Sequence, residues 1–314
     1  KKTFRMSLLI VGTVAFDKIE TPFGKTEKIL GGAGTFIGIA SSYFAEKMNV
    51  ISVIGEDFPE KYRTILKDHK MNLDGVQEVI GGKTFFWEGK YHKDMNSRDT
   101  LITELNVLAD FDPVVPESYQ DCEFLMLGNL DPRVQSKVLS QLNTRPKLVV
   151  MDTMDFWMDI AWDALMDTIR KVDVLTINDE EARQMSGEYS LVKAARKILT
   201  FGPKYLIIKK GEHGALLFDK QSHCYFAPAM PLEAVFDPTG AGDTFAGGFV
   251  GYLAKTKDLS FDNMKRAIIY GSALASLTVE KFGTDQIAYL SQDTLNQRVE
   301  SFRDLVEVDF QLLD

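Results

Sequence analysis

The run Asp237-Pro238-Thr239-Gly240-Ala241-Gly242-Asp243-Thr244-Phe245, continuing into Ala246-Gly247-Gly248-Phe249, holds the residue types best suited to chemistry in this chain. Gly240 and Gly242 stand just before an aspartate and a helix-like run. That arrangement suits a helix N-terminus, whose free backbone amides attract an anion. Glycine lets the backbone turn tightly there and approach a ligand with no Cβ in the way. An acidic side chain among such amides is out of place in a loop that only holds phosphate. It fits a loop that stabilises a migrating phosphoryl group while the carboxylate removes a proton from the acceptor. The plainer reading, a glycine-rich turn with Asp243 capping a helix, stays open from these residues alone.

The elements that must position this loop alternate along the chain. Short apolar, β-branched runs at 7–11, 50–54, 124–127, 148–151, 174–177 and 205–208 read as strands, with helix-like stretches at 35–48, 60–69, 133–142, 161–170, 180–185 and 191–199 between them. Continuous apolar character in the strands predicts burial on both faces, hence a parallel sheet between helix layers. Helices are expected near 241–254, 261–281 and 294–306. Two segments break the rhythm. Residues 81–88 and 100–107 are strand-like and joined by the polar stretch 90–99, and 14–30 is extended and interrupted by Pro22 and Gly24. They read as a small antiparallel sheet projecting from the body, either a surface hairpin or a lid. The expected fold class is α/β, with the chain 1–314 as one domain and lid segments at about 13–30 and 81–107.

Ligands of open parallel sheets collect at the carboxyl ends of the strands. Residues just past the expected strands are Gly12 to Asp17, Gly55 to Asp57, Gly128-Asn129, Asp152-Thr153, Asn178 to Glu181 and Lys209 to Gly214. Each alone is an ordinary turn or cap. Together they outline one cleft. Composition, 45% hydrophobic and 26% charged, is that of a globular protein with a sizeable core. A formal charge of −9 argues against general binding to nucleic acid or to a membrane surface. No apolar run nears the roughly 20 residues that span a bilayer. The start, Lys1 to Met6, is basic, but the apolar run 8–11 is too short for a signal peptide. Cys122 and Cys224 have no metal-like or disulfide spacing, which makes a reducing cytoplasm the expected compartment. The four histidines are scattered and suggest no metal centre.

The segment Asp237 to Phe249 resembles the C-terminal signature of the ribokinase, or PfkB-type, carbohydrate kinases. Gly31-Gly32-Ala33-Gly34, opening the helix through Ile39-Ala40, resembles their N-terminal di-glycine signature. The order of the two, and the resemblance along nearly the whole chain, identify it as a member of that family with a ribokinase-like fold. The resemblance implies roles at matching positions. Asp243 aligns with the base that deprotonates the acceptor, an aspartate expected to be ionised at neutral pH. The amides of Gly240, Ala241 and Gly242 align with the anion hole for the transferring group. Asp17 matches a sugar-binding aspartate, and Gly31 and Gly32 mark close approach of substrate and the hinge of the lid. Asn178 and Glu181 fit an Asn-x-x-Glu pattern that organises hydrated Mg2+ near the ATP phosphates. Gly211 and Gly214 match the loop along the nucleotide. Thr239 and Asp237 match positions that in many relatives bind a monovalent cation such as K+, and Thr239 is also placed beside ATP. Lys209 could touch phosphate or simply be solvated. Ala273, Ser276 and Val279 lie where the family has one wall of the adenine pocket, although a packed helix needs the same residues.

Departures bear on the acceptor. Thr35-Phe36 replaces a polar pair that many ribokinases carry after the di-glycine, which weakens any specific expectation of ribose. Phe85, Phe86, Trp87 and Tyr91 of the lid could cover a sugar face or a base, or form the lid's apolar face or a homodimer contact. Lys90, His92, Lys93 and Arg98 could meet a phosphorylated sugar or be a solvated loop. The resulting expectation is an ATP-dependent kinase acting on a hydroxymethyl group of a sugar. A nucleoside kinase comes second and a sugar-phosphate kinase third. From a different class, a non-catalytic sugar or nucleotide sensor stays open. A dinucleotide-dependent oxidoreductase is disfavoured, since Gly12-Thr13-Val14 stands where Gly-x-Gly-x-x-Gly is required, and no Walker-type loop follows either glycine cluster.

Overall fold

The computed structural model describes residues 8–307, so the basic start at Lys1 to Met6 and Ser7, expected to open the first strand, lie outside the described residues. The strands, in chain order, are β1 (Leu8–Val11), β2 (Ala15–Thr21), β3 (Gly24–Lys25), β4 (Ile29–Gly31), β5 (Met48–Gly55), β6 (Met71–Val79) and β7 (Phe86–Tyr91). They continue with β8 (Arg98–Glu104), β9 (Phe124–Leu127), β10 (Leu148–Asp152), β11 (Val174–Asn178), β12 (Tyr205–Lys209), β13 (Ala215–Asp219) and β14 (Cys224–Ala227). The helices are α1 (Ala33–Ser41), α2 (Glu60–Asp68), α3 (Pro132–Ser140), α4 (Asp155–Ile160) and α5 (Trp162–Ile169). After them come α6 (Asp179–Ser186), α7 (Leu191–Leu199), α8 (Ala241–Thr256), α9 (Phe261–Thr278) and α10 (Gln292–Val306).

Nine strands form the main sheet in the order β14-β13-β12-β11-β10-β9-β1-β5-β6. Every pairing from β12 across to β6 is parallel. The strands β1, β5, β9 and β10 are buried at every position, in keeping with their largely apolar runs. One face packs on α1, α8 and α9, with a core through Ile37, Phe124, Phe245, Phe249 and Ile268. The other packs on α3 and on α5 to α7 around Val138, Leu165, Ile169 and Ile198. From β1 the chain runs outward to β5 and β6 and then returns to β9 on the opposite side. This reversal opens a crevice at the carboxyl ends of β1 and β9.

A second sheet, in the order β3-β2-β7-β8 with β4 beside β2, stands over that edge. The pairings of β2 with β3 and β4 and of β7 with β8 are antiparallel as expected, whereas β2 runs parallel to β7. The lid strands are also displaced from the expected 81–88 and 100–107. Residues 81–85 cross from the body, fixed by Asp57, whose Oδ1 accepts from Thr84 N and Thr84 Oγ1, each at 2.7 Å. Asp57, expected among the cleft residues, is thus used to tie down the lid.

Several elements escaped the sequence pattern. In β6 the apolar run is broken by Asp74, Gln77 and Glu78, which the edge of the sheet tolerates because β6 pairs only with β5. The antiparallel β13 and β14 close the opposite edge. The helix expected over 35–48 ends at Ser41, and the one expected to reach 281 ends at Thr278.

Candidate active site

The helix α8 starts at Gly240, whose φ of 73° lies in the left-handed region, and no side chain caps it. Asp243 sits inside the first turn rather than before it, so the reading of Asp243 as a cap does not hold. The Ala241 amide donates to Pro238 O at 3.2 Å, while the amides of Gly242 and Asp243 have no partner among the described residues. The loop therefore presents free N–H groups at a helix N-terminus, the arrangement that takes an anion. Phe36 lies beneath it. A methyl group built on Gly240 would come within 2.5 Å of the Phe36 ring. The aromatic residue that replaces an expected polar one at Phe36 supports the loop from below.

The carboxylate of Asp243 has no hydrogen-bond partner among the described residues. Its pKa is pushed up to about 7, first by burial and then by the charge of Asp152, against the opposing pull of Lys209 and Arg98. The expectation of an ordinary carboxylate is corrected here, because desolvation penalises the charged form. Asp17, on β2, is also pushed up to about 7. Burial is the main cause, the Gly32 amide opposes it, and Asp237 and Asp243 add to it.

The di-glycine shapes the space between body and lid. A methyl on Gly31 would fall 2.0 Å from Asp17 Oδ2, so only glycine leaves that carboxylate its position. Gly32 adopts a φ of 91° and starts α1. Thr13 clasps this turn, its Oγ1 accepting from Ala33 N at 2.9 Å and its carbonyl from Gly34 N at 2.8 Å.

Asp237 and Thr239 organise the approach to the loop. Asp237 Oδ1 accepts from Thr239 N at 2.9 Å and Oδ2 from Gly283 N at 2.8 Å. Its pKa is raised by burial, which these bonds oppose. Thr239 Oγ1 donates to Tyr91 Oη at 3.2 Å, a direct link between loop and lid. Asn178 and Glu181 form a capping box at the start of α6. Asn178 Oδ1 accepts from Glu181 N and Glu181 Oε2 from Asn178 N, each at 2.7 Å. Burial pushes Glu181 up to about 7, opposed by Lys209 and the Asn178 amide. This box leaves Glu181 Oε1 without a hydrogen-bond partner among the described residues. Among those residues no three His, Cys, Asp or Glu side chains cluster closely enough to hold a metal ion. The donor set suits a cation held mainly by waters and ligand oxygens, as Mg2+ is.

A cleft of about 660 Å³ runs from Gly242 and Lys209 past Gly211 and Gly214 to Ser276 and Val279. Ser276 lines it and donates to Ala273 O at 2.7 Å while accepting from Arg298 Nη1 at 2.8 Å. Ala273 does not line it. That residue is fully buried in a separate core with Phe44, Leu277 and Phe302, one helical step away from the wall. Val279 lines the cleft with Ser276, and Ser272 and Ala275 take the place expected of Ala273. A hollow of about 360 Å³ beside Val192 and Arg196 lies toward the antiparallel edge, and none of the motif residues lines it.

Two features of the cleft were not foreseen. Lys209 is not solvated but paired with Asp152, its Nζ donating to the two carboxylate oxygens at 3.1 and 2.9 Å. The lid turn carrying Asp94, Met95 and Asn96 reaches the cleft, with Asn96 Oδ1 3.3 Å from where a Gly211 Cβ would stand. Phe86 and Tyr91 are buried, which favours their packing role in the lid. The one available signal was position, since Asp152 and Lys209 each end a fully apolar strand.

The profile of the pfkB family of carbohydrate kinases matches residues 10–289. A cytidine kinase of Thermococcus kodakarensis is 29% identical over 260 residues, spanning 81% of this chain and 91% of the relative. A ribokinase of Haemophilus influenzae is 25% identical over 323 aligned positions, spanning 93% and 98%. An Escherichia coli protein described as a ribokinase II, solved in complex with ATP and Mg2+, superposes with a TM-score of 0.77 at 19% identity, covering 96% of this chain and 99% of that one.

Proposed function

Because the chain belongs to the pfkB family of carbohydrate kinases, a phosphotransferase family with an alcohol group as acceptor, we propose that it passes the γ-phosphoryl group of ATP to a hydroxymethyl group of a free sugar. The observation that carries this reading is Asp243 in the first turn of α8, among uncapped amides that have no partner among the described residues. Asp17 would accept hydrogen bonds from acceptor hydroxyls, with Gly31 and Gly32 leaving room for them. Asp243 takes the hydroxyl proton as that oxygen attacks the γ-phosphorus in line, and the bond to the β,γ-bridging oxygen breaks to release ADP. The amides of the Gly240–Gly242 turn meet the charge on the transferring group, the interaction expected to contribute most to the rate. ATP is read as lying along Gly211 and Gly214, past Asn178 and Thr239, with its base toward Ser276. A hydrated Mg2+ would be held near Glu181 and supply charge neutralisation for the phosphates. A monovalent cation such as K+ near Asp237 belongs to the same proposal.

A nucleoside acceptor is the second reading, favoured by the cytidine kinase relative at 29% identity. The lid indole of Trp87, held by its Nε1 donating to Thr100 Oγ1 at 3.3 Å, is the surface a base could meet. A sugar phosphate ranks third. The lid cations it would need are partly engaged, Lys90 with Glu20 and His92 with Asp99. A sensor that only binds would have no use for a free carboxylate among the amides.

The proposal extends to the chain as one ribokinase-like domain with lid segments at about 13–30 and 81–107. It also includes pairing of two copies through β8, whose Leu101 and Ile102 are exposed on an edge strand. Among the described residues no helix is long and apolar enough to cross a membrane. Cys122 and Cys224 are both free, in keeping with a cytoplasmic protein. The test is ATP consumption against a panel of free sugars, nucleosides and sugar phosphates. Consumption that depends on a free sugar supports the reading, dependence on a nucleoside alone moves the acceptor to the second reading, and no acceptor-dependent consumption contradicts both.

A further inference from the structure

We propose that Asp152 and Lys209 work as a unit, the carboxylate at the end of β10 holding the ammonium beside Gly242, where it meets the β,γ-bridging oxygen of the donor nucleotide. The proposal rests on the kinase reading and adds a fixed cation to the amide nest. Asp152 is then a positioning residue, and Lys209 the group that touches the nucleotide.

The placement follows from sheet order. Both β10 and β12 pair in parallel with β11, so their last residues finish at one edge with a single strand between them. Lys209 spans that gap and donates to both Asp152 oxygens. A methyl on Gly242 would stand 3.2 Å from Nζ, which sets the ammonium against the first turn of α8. Lys209 lines the large cleft together with Gly211, Gly214 and Gly242.

An ammonium has three donors. Two go to Asp152, and the third is free for a ligand oxygen. Burial favours loss of the proton from Lys209, but the charges of Asp152, Glu181 and Asp243 outweigh it and raise the pKa, so the group stays a cation. A buried ion pair adds little net stability over an apolar pair of similar volume. Its place at the nest gives it a use that stability does not. Lys209 stays protonated through the transfer: the acceptor proton goes to Asp243, and the bridging oxygen leaves with its electron pair as the terminal β-oxygen of ADP, beside the ammonium. Charge that develops in the transition state is where a preorganised cation acts most strongly.

The test is calorimetric binding of adenosine, AMP and ADP to wild type, Lys209→Met, Lys209→Arg and Asp152→Asn, with a thermal melt of each. None of these measurements needs a known acceptor. We expect Lys209→Met to weaken ADP by about 10-fold or more, with adenosine changed by less than about twofold. Lys209→Arg should recover part of the ADP affinity, and Asp152→Asn should follow the pattern of Lys209→Met in smaller degree. With an acceptor in hand, Lys209→Met should lower kcat by about 100-fold at little changed acceptor KM. If Lys209→Met does not fold, the double variant Asp152→Asn/Lys209→Met removes both buried charges and carries the same comparison. Equal weakening of adenosine and ADP, or no weakening of either, would overturn the proposal. A wild type that binds ADP through Lys209 yet turns over no acceptor would contradict the kinase reading and leave the assignment of this pair intact.

Discussion

Asp17 and Asp243 are each pushed up to about 7, in both cases chiefly by burial. For Asp243 as a base this sets a pH dependence. The acceptor proton can be taken only by the ionised form, so kcat/KM should rise with pH through a limb near 7 in a pH–rate profile. A limb near 4 would show that the carboxylate is not desolvated in the working enzyme. The same shift bears on folding. Between the ordinary value of 3.8 and about 7 the folded protein keeps a proton the unfolded chain has lost, so this group's contribution to stability falls as pH rises through that window. Asp243→Asn should therefore melt about 2 °C or more above wild type at pH 8, with a smaller gap at pH 5. Gly31→Ala should raise the acceptor KM by about 10-fold or more, because its methyl displaces Asp17. The loop residues were legible because glycine spacing and an acidic residue are local signals. The raised pKa values and the Asp152–Lys209 pair were not, since burial and contacts between strands 57 residues apart belong to tertiary structure.

The lid meets the loop before α8 through a hydroxyl pair, Thr239 to Tyr91, and reaches the large cleft through its turn at Asp94, Met95 and Asn96. Closing the lid and shaping the loop are thereby linked. Tyr91→Phe keeps the buried ring and removes the hydroxyl, so kcat should fall by about 3- to 10-fold with little change in melting temperature. An unchanged kcat in steady-state assays would show the contact to be incidental. A control away from the cleft is Asp131, whose side chain accepts from Arg133 N at 2.8 Å to cap α3. Asp131→Ala should cost about 1 kcal/mol in denaturant unfolding and leave turnover alone. The buried strands were readable from their unbroken apolar runs. The strand β6 was not, because edge strands carry the polar residues that hide the pattern. The lid strands shifted register along the sequence because Thr84 is drawn back to the body by Asp57.

At the scale of the whole molecule, the parallel sheet delivers Asp152, Asn178 and Lys209 to one edge, α8 aims its uncapped end at them, and the second sheet stands above. The α/β class followed from the alternation of apolar runs and helix-like stretches, while the acceptor depends on side chains that several substrate classes could use. The central claim is that Asp243 moves the proton while the amides around it hold the phosphoryl group. The most direct measurement is turnover and ADP affinity of purified Asp243→Asn, using the best acceptor found in the panel. The account predicts ADP affinity within about threefold of wild type and a loss of turnover of about 10³-fold or more. Turnover within about tenfold of wild type would contradict it.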